Sequence, residues 1–243
     1  MAKQRLDQAL VVRGLVTSRS QGESWIRLGK VTVDGQVVTK SGFLVSDEAT
    51  VALTATEQYV SRAGLKLASV AHVLGLEFAG KVMLDVGSST GGFTDYALQH
   101  GARKVIAVDV GTDQLHPSLR GNPKIELHEQ TDIRDLTAQA VNLEAPDIVV
   151  VDVSFISLRE ILPHVAQLAG KQTSIIAMVK PQFEATAANL KHKGVIKNDR
   201  LRRDILKNFE TWARQFFVIL DKADSEIPGS KGNLERFYKL RKL

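Results

Sequence analysis

Asp85-Val86-Gly87-Ser88-Ser89-Thr90-Gly91-Gly92-Phe93 is the stretch on which the reading of this chain turns. The apolar run 82–86 ends inside it, and a helical pattern over 92–100 begins inside it. A strand that enters a glycine-rich turn and leaves as a helix is how an open parallel α/β sheet presents backbone to a nucleoside-like ligand. The glycines allow the tight turn and the close approach. Their spacing selects among ligands. Gly87, three residues, then Gly91-Gly92 is not the G-x-G-x-x-G of a dinucleotide site, and no G-x-x-x-x-G-K-[ST] phosphate loop occurs.

Outward from this turn the same alternation continues. Short apolar runs at 82–86, 104–110, 124–129, 147–153 and 174–179 read as strands of a parallel sheet. Helical patterns over 92–100, 158–168 and 199–215 lie between them, and 216–220 and 235–240 add two strands at the end. The expectation is a Rossmann-like α/β domain with a mostly parallel seven-stranded sheet and helices on both faces. A helix within 57–80 leads into it. Ser61 is placed to cap that helix, and Leu65, Leu67, Ala68, Val70, Ala71 and Leu74 form its apolar stripe. Acidic residues recur at strand ends: Asp85, Asp109 and Asp132. One such Asp is ordinary as a helix cap; three at successive strand ends are not. The Asp85 to Phe93 turn resembles motif I of class I methyltransferases. That resemblance implies S-adenosylmethionine held by Asp85, Gly87, Ser88, Ser89, Thr90, Gly91, Gly92 and Phe93. It further implies Asp109 on the ribose hydroxyls, Asp132 on the adenine amino group and Asp152 beside the cofactor.

Residues 1–56 read as a separate small α+β unit. Leu6, Ala9, Leu10 and Val11 sit at helical spacing before Gly14, and Ser18 can cap a second helix that Gly29 ends. Val31-Thr32-Val33-Asp34-Gly35-Gln36-Val37-Val38 is a hairpin around an Asp-Gly turn, and 50–53 supplies a further strand. Gly22, inside the second helix, costs about 1 kcal/mol relative to Ala. Arg5-Leu6-Asp7, Ser18-Arg19-Ser20-Gln21 and Ile26-Arg27-Leu28-Gly29-Lys30-Val31-Thr32-Val33-Asp34-Gly35 resemble the S4 RNA-binding module. The resemblance implies docking on structured RNA through Arg5, Arg19, Ser20, Arg27 and Lys30. Read from the residues alone, these are either phosphate contacts or solvated surface charges. The expected division is 1–56 for the S4-like unit and 57–243 for the catalytic one, with 57–60 as linker.

Four side chains sharpen the chemistry. Lys66 lies on the helix after the linker, Asp152 ends the fourth strand of the large sheet, Lys180 ends the fifth, and Glu235 opens the last. Their order resembles the Lys-Asp-Lys-Glu tetrad of the FtsJ class of ribose 2′-O-methyltransferases. With the S4-like unit, the whole chain resembles the TlyA family, often labelled haemolysin A. The best motifs are Asp152-Val153-Ser154-Phe155-Ile156-Ser157, Lys180-Pro181-Gln182-Phe183-Glu184 and Gly232-Asn233-Leu234-Glu235. The resemblance implies 2′-O-methylation of ribosomal RNA, at cytidine, in free RNA or ribosomal subunits. A ribose hydroxyl must lose its proton as it attacks. Lys180 could accept that proton if a Lys66 cation and partial burial lowered its pKa. Asp152 would orient Lys180, and Glu235 would place Lys66 or the hydroxyl. Residues 184–194 depart from the glycine-rich stretch usual in the family. Lys191, His192 and Lys193 there could touch RNA, and Lys231 could add a phosphate contact.

Composition narrows the alternatives. The 243 residues contain no cysteine, which excludes disulfides, thiolate metal sites and the cysteine attack used to methylate carbon 5 of pyrimidines. Nor are any metal ligands evident. Asp152-Val153-Ser154-Phe155 lacks the two prolines of the amino-methyltransferase motif, although Phe155 could still stack on a flipped base or serve the core. A net charge of +5 suits a polyanionic partner. No apolar run approaches the ~18–20 residues that span a bilayer. The N-terminus meets charge too early for a signal peptide. The expectation is a soluble cytoplasmic protein. A membrane-active haemolysin and a non-catalytic ribosome assembly factor are the competing readings.

Overall fold

The computed structural model describes residues 3–16, 18–54, 59–137, 145–185, 194–229 and 231–243. The chain divides into two compact units, Met1–Arg62 and Ala63–Leu243. Residues 57 and 58 of the expected linker, and Lys191, His192 and Lys193, lie outside the described residues.

The first unit runs β1 (Lys3–Arg5), α1 (Leu6–Val12), α2 (Arg19–Arg27), β2 (Val31–Val33), β3 (Gln36–Val37), β4 (Leu44–Ser46) and β5 (Val51–Leu53). Ser18 caps α2 as its sequence suggests, with its hydroxyl accepting from the Gln21 N–H at 3.2 Å. The Asp34-Gly35 turn has both residues at positive φ, 49° and 79°. That is the geometry a two-residue hairpin needs to match the strand twist. β2 pairs with β3 on one side and β5 on the other. Gly22 has a packing reason for its place inside α2. A Cβ there would lie 3.3 Å from the Asp7 carbonyl oxygen and 3.3 Å from Leu10, so the glycine lets α1 and α2 approach closely. The strands β1 and β4, which pair with each other antiparallel, do not stand out in the sequence. Each is three residues long, too short to carry a periodicity.

The helix α3 (Arg62–Ala71) starts on the last residue of the first unit, and the second unit continues with β6 (Val82–Val86), α4 (Gly92–Gln99), β7 (Lys104–Val108), a short 3-10 turn (Pro117–Leu119), β8 (Ile125–His128), β9 (Ile148–Val151), α5 (Leu158–Leu168), β10 (Ser174–Val179), α6 (Pro181–Glu184), α7 (Asp199–Ala213), β11 (Phe217–Asp224) and β12 (Arg236–Lys242). Leu65, Leu67, Val70, Ala71 and Leu74 are buried as expected, while Ala68 is half-buried. Ser61 does not cap α3; its hydroxyl is buried without a hydrogen-bond partner.

The sheet has seven strands in the order β11-β12-β10-β9-β6-β7-β8. β8, β7, β6, β9 and β10 are parallel, and β12 inserts antiparallel between β10 and β11. Strand alternation sends Leu84, Val86, Val149, Val151 and Ile175 to a core shared with α5 and α7. Phe209 of α7 and Tyr238 of β12 meet there with ring centroids 5.2 Å apart, both fully buried. Each such side chain contributes about 1.5–3 kcal/mol of transfer free energy. The opposite face carries Met83 and Asp85 against α4. β11 runs four residues past the expected end, to Asp224. It is an edge strand paired only with β12, so its charged residues Asp221, Lys222 and Asp224 face water and hide the strand from a hydropathy reading. A register shift between Ile219 and Asp221 bends this edge.

The chain leaves β6 toward β7 on one side, and β9 lies on the other. The switch in strand order therefore falls between β6 and β9, which is where ligands bind in such sheets.

Candidate active site

Beyond the carboxyl ends of β6, β7 and β9 lies a cleft of about 510 Å³. That is within the roughly 300–1,000 Å³ usual for small-ligand sites. Gly87, Ser89, Asp109, Asp132 and Asp152 line it among the residues the sequence nominates, with Val86, Val108, Ile133, Ile156 and Ile161 supplying apolar wall. Gly87 sits at φ +82°, and a Cβ on it would come within 2.8 Å of the Asp152 carbonyl oxygen. The floor of the cleft therefore admits only glycine at that position. The N–H groups of Gly87 and Ser88 both donate to the Val108 carbonyl, at 2.9 and 3.1 Å, which folds the turn over the end of β7.

Asp109 is fixed by two backbone donors, Ser89 N at 2.8 Å and Gly111 N at 2.7 Å, one on each oxygen. A carboxylate offers about four acceptor sites, so two remain for a diol. Asp132 is held by Arg134, with its Oδ2 accepting from the guanidinium at 2.6 Å and its Oδ1 from the Arg134 backbone N–H at 2.9 Å. Arg134 keeps the Asp132 carboxyl below its ordinary pKa. Gly91, at φ +86°, starts α4; a Cβ there would strike Leu115 and Leu119, both at 2.6 Å. Thr90 is exposed, and Gly92 is buried in the first turn of α4. Phe93 faces the core, its ring 6.0 Å from that of Phe237.

Two buried polar atoms at this turn have no hydrogen-bond partner among the described residues: Asp85 Oδ1 and Ser88 Oγ. Asp85 Oδ2 accepts from Thr94 Oγ1 at 2.6 Å. Burial pushes the Asp85 carboxyl up to about 7; the Thr94 hydrogen bond opposes this, and the charges of Asp152 and Asp109 add to it. Buried polar atoms are rarely left unpaired, so a turn with two of them fits a polar, cationic ligand.

The tetrad residues form two tight pairs. Lys66 Nζ lies 2.6 Å from Glu235 Oε2, and both side chains are buried. Lys180 Nζ lies 2.6 Å from Asp152 Oδ1 and donates to Ser154 Oγ at 2.8 Å. The Asp152 contact is an ion pair rather than an aligned hydrogen bond. Strand register explains how residues so distant in sequence converge. Val179 of β10 pairs with Arg236 of β12, so Lys180 and Glu235 occupy the next positions at the ladder's end. Glu235 lies against Lys66, one of the two placements expected for it, and balances the charge of the Lys66 cation.

Residues 152–157 join β9 to α5 and carry Phe155, 89% exposed and at φ +67°. That exposure rules out a core role. The ring lies 5.3 Å from that of Phe183. Ser154 is the main contributor the sequence reading missed. It stands in a quoted motif, but only its contact with Lys180 distinguishes it from an ordinary loop serine. Glu184, also within a quoted motif, has a buried carboxylate that accepts from Ser157 Oγ and Leu158 N, both at 2.7 Å. Burial raises its pKa against the pull of those donors.

In the first unit, Arg5 and Arg19 are engaged by one buried residue. Asp7 Oδ2 accepts from Arg5 Nη2 at 2.9 Å and from Arg19 Nε at 2.7 Å. Burial alone would raise the Asp7 carboxyl, but the hydrogen bonds and charges of the two arginines outweigh it and hold it at about 2. Ser20, Arg27 and Lys30 are exposed. A carboxyl depressed in the folded state contributes stability that is present above pH ~4 and is lost as pH falls through 2. Asp7→Asn should therefore cost the unit roughly 2–3 kcal/mol at neutral pH. Amide hydrogen exchange across residues 3–54 is the measurement; protection equal to wild type would refute it.

The sequence profile of the FtsJ-like methyltransferases matches residues 59–242. The chain belongs to that family. The S4 domain profile matches residues 4–51. Hemolysin A of Brachyspira hyodysenteriae is 37% identical over 95% of this chain and 97% of its own. The 16S/23S rRNA (cytidine-2'-O)-methyltransferase TlyA of Mycobacterium tuberculosis is 38% identical over 98% of this chain and 89% of its own. The solved structure of a hemolysin-named protein from Streptococcus thermophilus shares 34% identity at a TM-score of 0.74, covering 100% of this chain and 89% of that one. The methyltransferase uses S-adenosylmethionine as its methyl donor. Among the described residues no cluster of three or more His, Cys, Asp or Glu side chains is placed to hold a metal ion, and no helix is long and apolar enough to cross a membrane.

Proposed function

We propose that this methyltransferase methylates a ribose 2′-hydroxyl of ribosomal RNA, at a cytidine of the 16S or 23S molecule, in the cytoplasm and on free RNA or ribosomal subunits. The observation that carries the proposal is Lys180. Its amine is buried at the end of β10 and held by Asp152 and Ser154, both of which also line the cofactor cleft. A basic group in that position serves oxygen methylation, because a hydroxyl must shed a proton as it attacks.

In this reading the turn from Asp85 to Phe93 holds S-adenosylmethionine with Asp109, Asp132 and Asp152. Asp109 takes the ribose diol and Asp132 the adenine amino group. The bound cofactor supplies an electrophilic methyl group on a sulfonium. To act as the base Lys180 first gives up its own proton; Nζ then takes the 2′-hydroxyl proton while Asp152 and Ser154 fix its direction. Lys66 and Glu235, locked to each other, form a rigid donor and acceptor pair that orients the ribose. Phe155 offers an exposed ring on which the target base can stack. Arg5, Arg19, Ser20, Arg27 and Lys30 contact phosphates from the S4 unit. Arg5 and Arg19 do so with the guanidinium hydrogens left free by Asp7, and Lys231 adds a further charge.

The test is transfer of tritium from labelled cofactor into 16S and 23S RNA and into ribosomal subunits, followed by mapping of the modified nucleotide. A methylated base in place of a 2′-O-methyl ribose would overturn the proposal. So would an absence of transfer despite cofactor binding, which is the outcome a non-catalytic assembly factor requires. The haemolysin reading draws on the names of relatives, and leakage of liposomes by the purified chain would be needed to sustain it.

A further inference from the structure

Lys180 and Glu184 begin and end one short turn, α6, and both reach across to the same neighbouring loop. Lys180 contacts the near end of residues 152–157 through Asp152 and Ser154. Glu184 contacts the far end through Ser157 and the first N–H of α5. Between these anchors lies Phe155, a non-glycine residue at φ +67° with its ring in solvent. A backbone of that kind is strained and persists only where its surroundings over-determine it.

The donor and acceptor roles around Glu184 close without conflict. Ser157 Oγ accepts from the Arg159 N–H at 3.1 Å and donates its own proton to Glu184 Oε2. Glu184 Oε1 takes the Leu158 N–H. The carboxylate sits at the N-terminus of α5, where the helix dipole favours negative charge. Arg159 Nε, 3.6 Å away, balances it, and the Glu184 side chain is only 1% exposed. Nothing in this arrangement touches the cofactor cleft directly; Glu184 does not line it.

We infer that Glu184 is a positioning residue for methyl transfer: by fixing Ser157 and Leu158 it holds the loop that presents Ser154 to Lys180 and Phe155 to the substrate nucleotide. The inference rests on the proposed function and adds a residue that acts through the loop rather than on the reacting atoms. A carboxylate is required because two donors converge on it. An amide in its place offers one acceptor oxygen and turns a donor toward a donor.

The experiment uses the full chain with 16S and 23S RNA. Glu184→Gln should lower kcat/KM for RNA by about 10- to 100-fold, the scale of a 1 Å misplacement at a reacting centre. Its affinity for S-adenosylmethionine should stay within about twofold of wild type, since Asp152, at the near end of the loop, is held by Lys180 and the glycine turn, Asp109 and Asp132 sit on other elements. Ser157→Ala removes one donor and leaves the Leu158 contact, so it should give a smaller loss in the same direction. The decisive reading is a double-mutant cycle with Phe155→Ala. If Glu184 works through the loop, its substitution should cost much less once Phe155 is absent. Additive losses, or a parallel loss of cofactor binding, would show a general structural role and overturn the inference. Unchanged turnover in Glu184→Gln would also overturn it while leaving the proposed function intact. A wild-type protein that transfers no methyl group would instead remove the function on which the inference rests.

Discussion

Lys180→Ala should reduce methyl transfer by about 10²–10⁴-fold, the range general base catalysis supplies, with S-adenosylmethionine binding nearly unchanged. The separation of the two effects follows from position. Lys180 lies at the end of β10, and the glycine turn follows β6 on the other side of β9. The substitution leaves Asp152 without its cation. The Asp152 side chain is 14% exposed, so water can take over part of the lost solvation, and the fold should survive. Lys180→Arg is the stricter variant. It keeps the charge beside Asp152 but cannot serve as a neutral base near physiological pH. It should be as inactive as alanine while remaining closer to wild type in stability. Single-turnover transfer from labelled cofactor, with calorimetry of cofactor binding alongside, measures both quantities. Substantial activity in the arginine variant would remove Lys180 as the base and leave it as an electrostatic contact.

Most of the architecture was legible in the sequence because it is written in strong periodicities. The runs 82–86 and 174–179 and the helix 158–168 coincide with β6, β10 and α5 residue for residue. These are buried elements whose apolar pattern is continuous or strictly amphipathic. What escaped was short or exposed. β1 and β4 are three residues each, and β11 hides its second half behind charges that face water from a sheet edge. The candidate site divides in the same way. Asp109 and Asp132 could be nominated because strand ends in a parallel sheet converge on one edge, and Asp152 and Lys180 because their order with Lys66 and Glu235 resembles the tetrad of the FtsJ class. Lys180 with Asp152 could be paired in advance through the resemblance, and Lys66 was one of two partners offered for Glu235; other pairings could not be nominated. That Arg5 and Arg19 share Asp7, and that Ser154 and Glu184 hold one loop from opposite ends, are facts of three-dimensional proximity. Proximity also changes the electrostatic argument. A Lys66 cation acting on Lys180 was part of the expectation, with Glu235 placing Lys66 or the hydroxyl; Glu235 lies 2.6 Å from the Lys66 amine and balances it, so orientation carries more of the catalytic case than charge repulsion does.

Asp85 should make cofactor binding depend on pH near neutrality. Its carboxyl is 1% exposed, accepts from Thr94, and is pushed up to about 7 by burial, with Asp152 and Asp109 adding negative charge nearby. The folded value lies above the unfolded one. Its stabilising contribution is therefore complete below about pH 4 and is lost as pH rises to about 7, a change of roughly 4 kcal/mol in the protein without ligand. S-adenosylmethionine carries net positive charge, and a cation in the cleft favours the ionised carboxylate. Binding should thus release a proton from Asp85 below pH 7, and affinity should rise as pH passes from 6 to 8. Asp85→Asn keeps the shape and an acceptor for Thr94 but cannot titrate. Any ionisation of the ligand itself is common to both proteins, so the difference between their pH profiles isolates Asp85. The variant should bind more weakly at pH 8, show a flatter profile, and unfold at higher denaturant concentration than wild type in the absence of ligand. Calorimetry at pH 6.5 in two buffers of different ionisation enthalpy counts the released protons. If the asparagine variant follows the wild-type slope and releases the same protons, the carboxyl at the base of the glycine turn is not the group that senses the cofactor's charge.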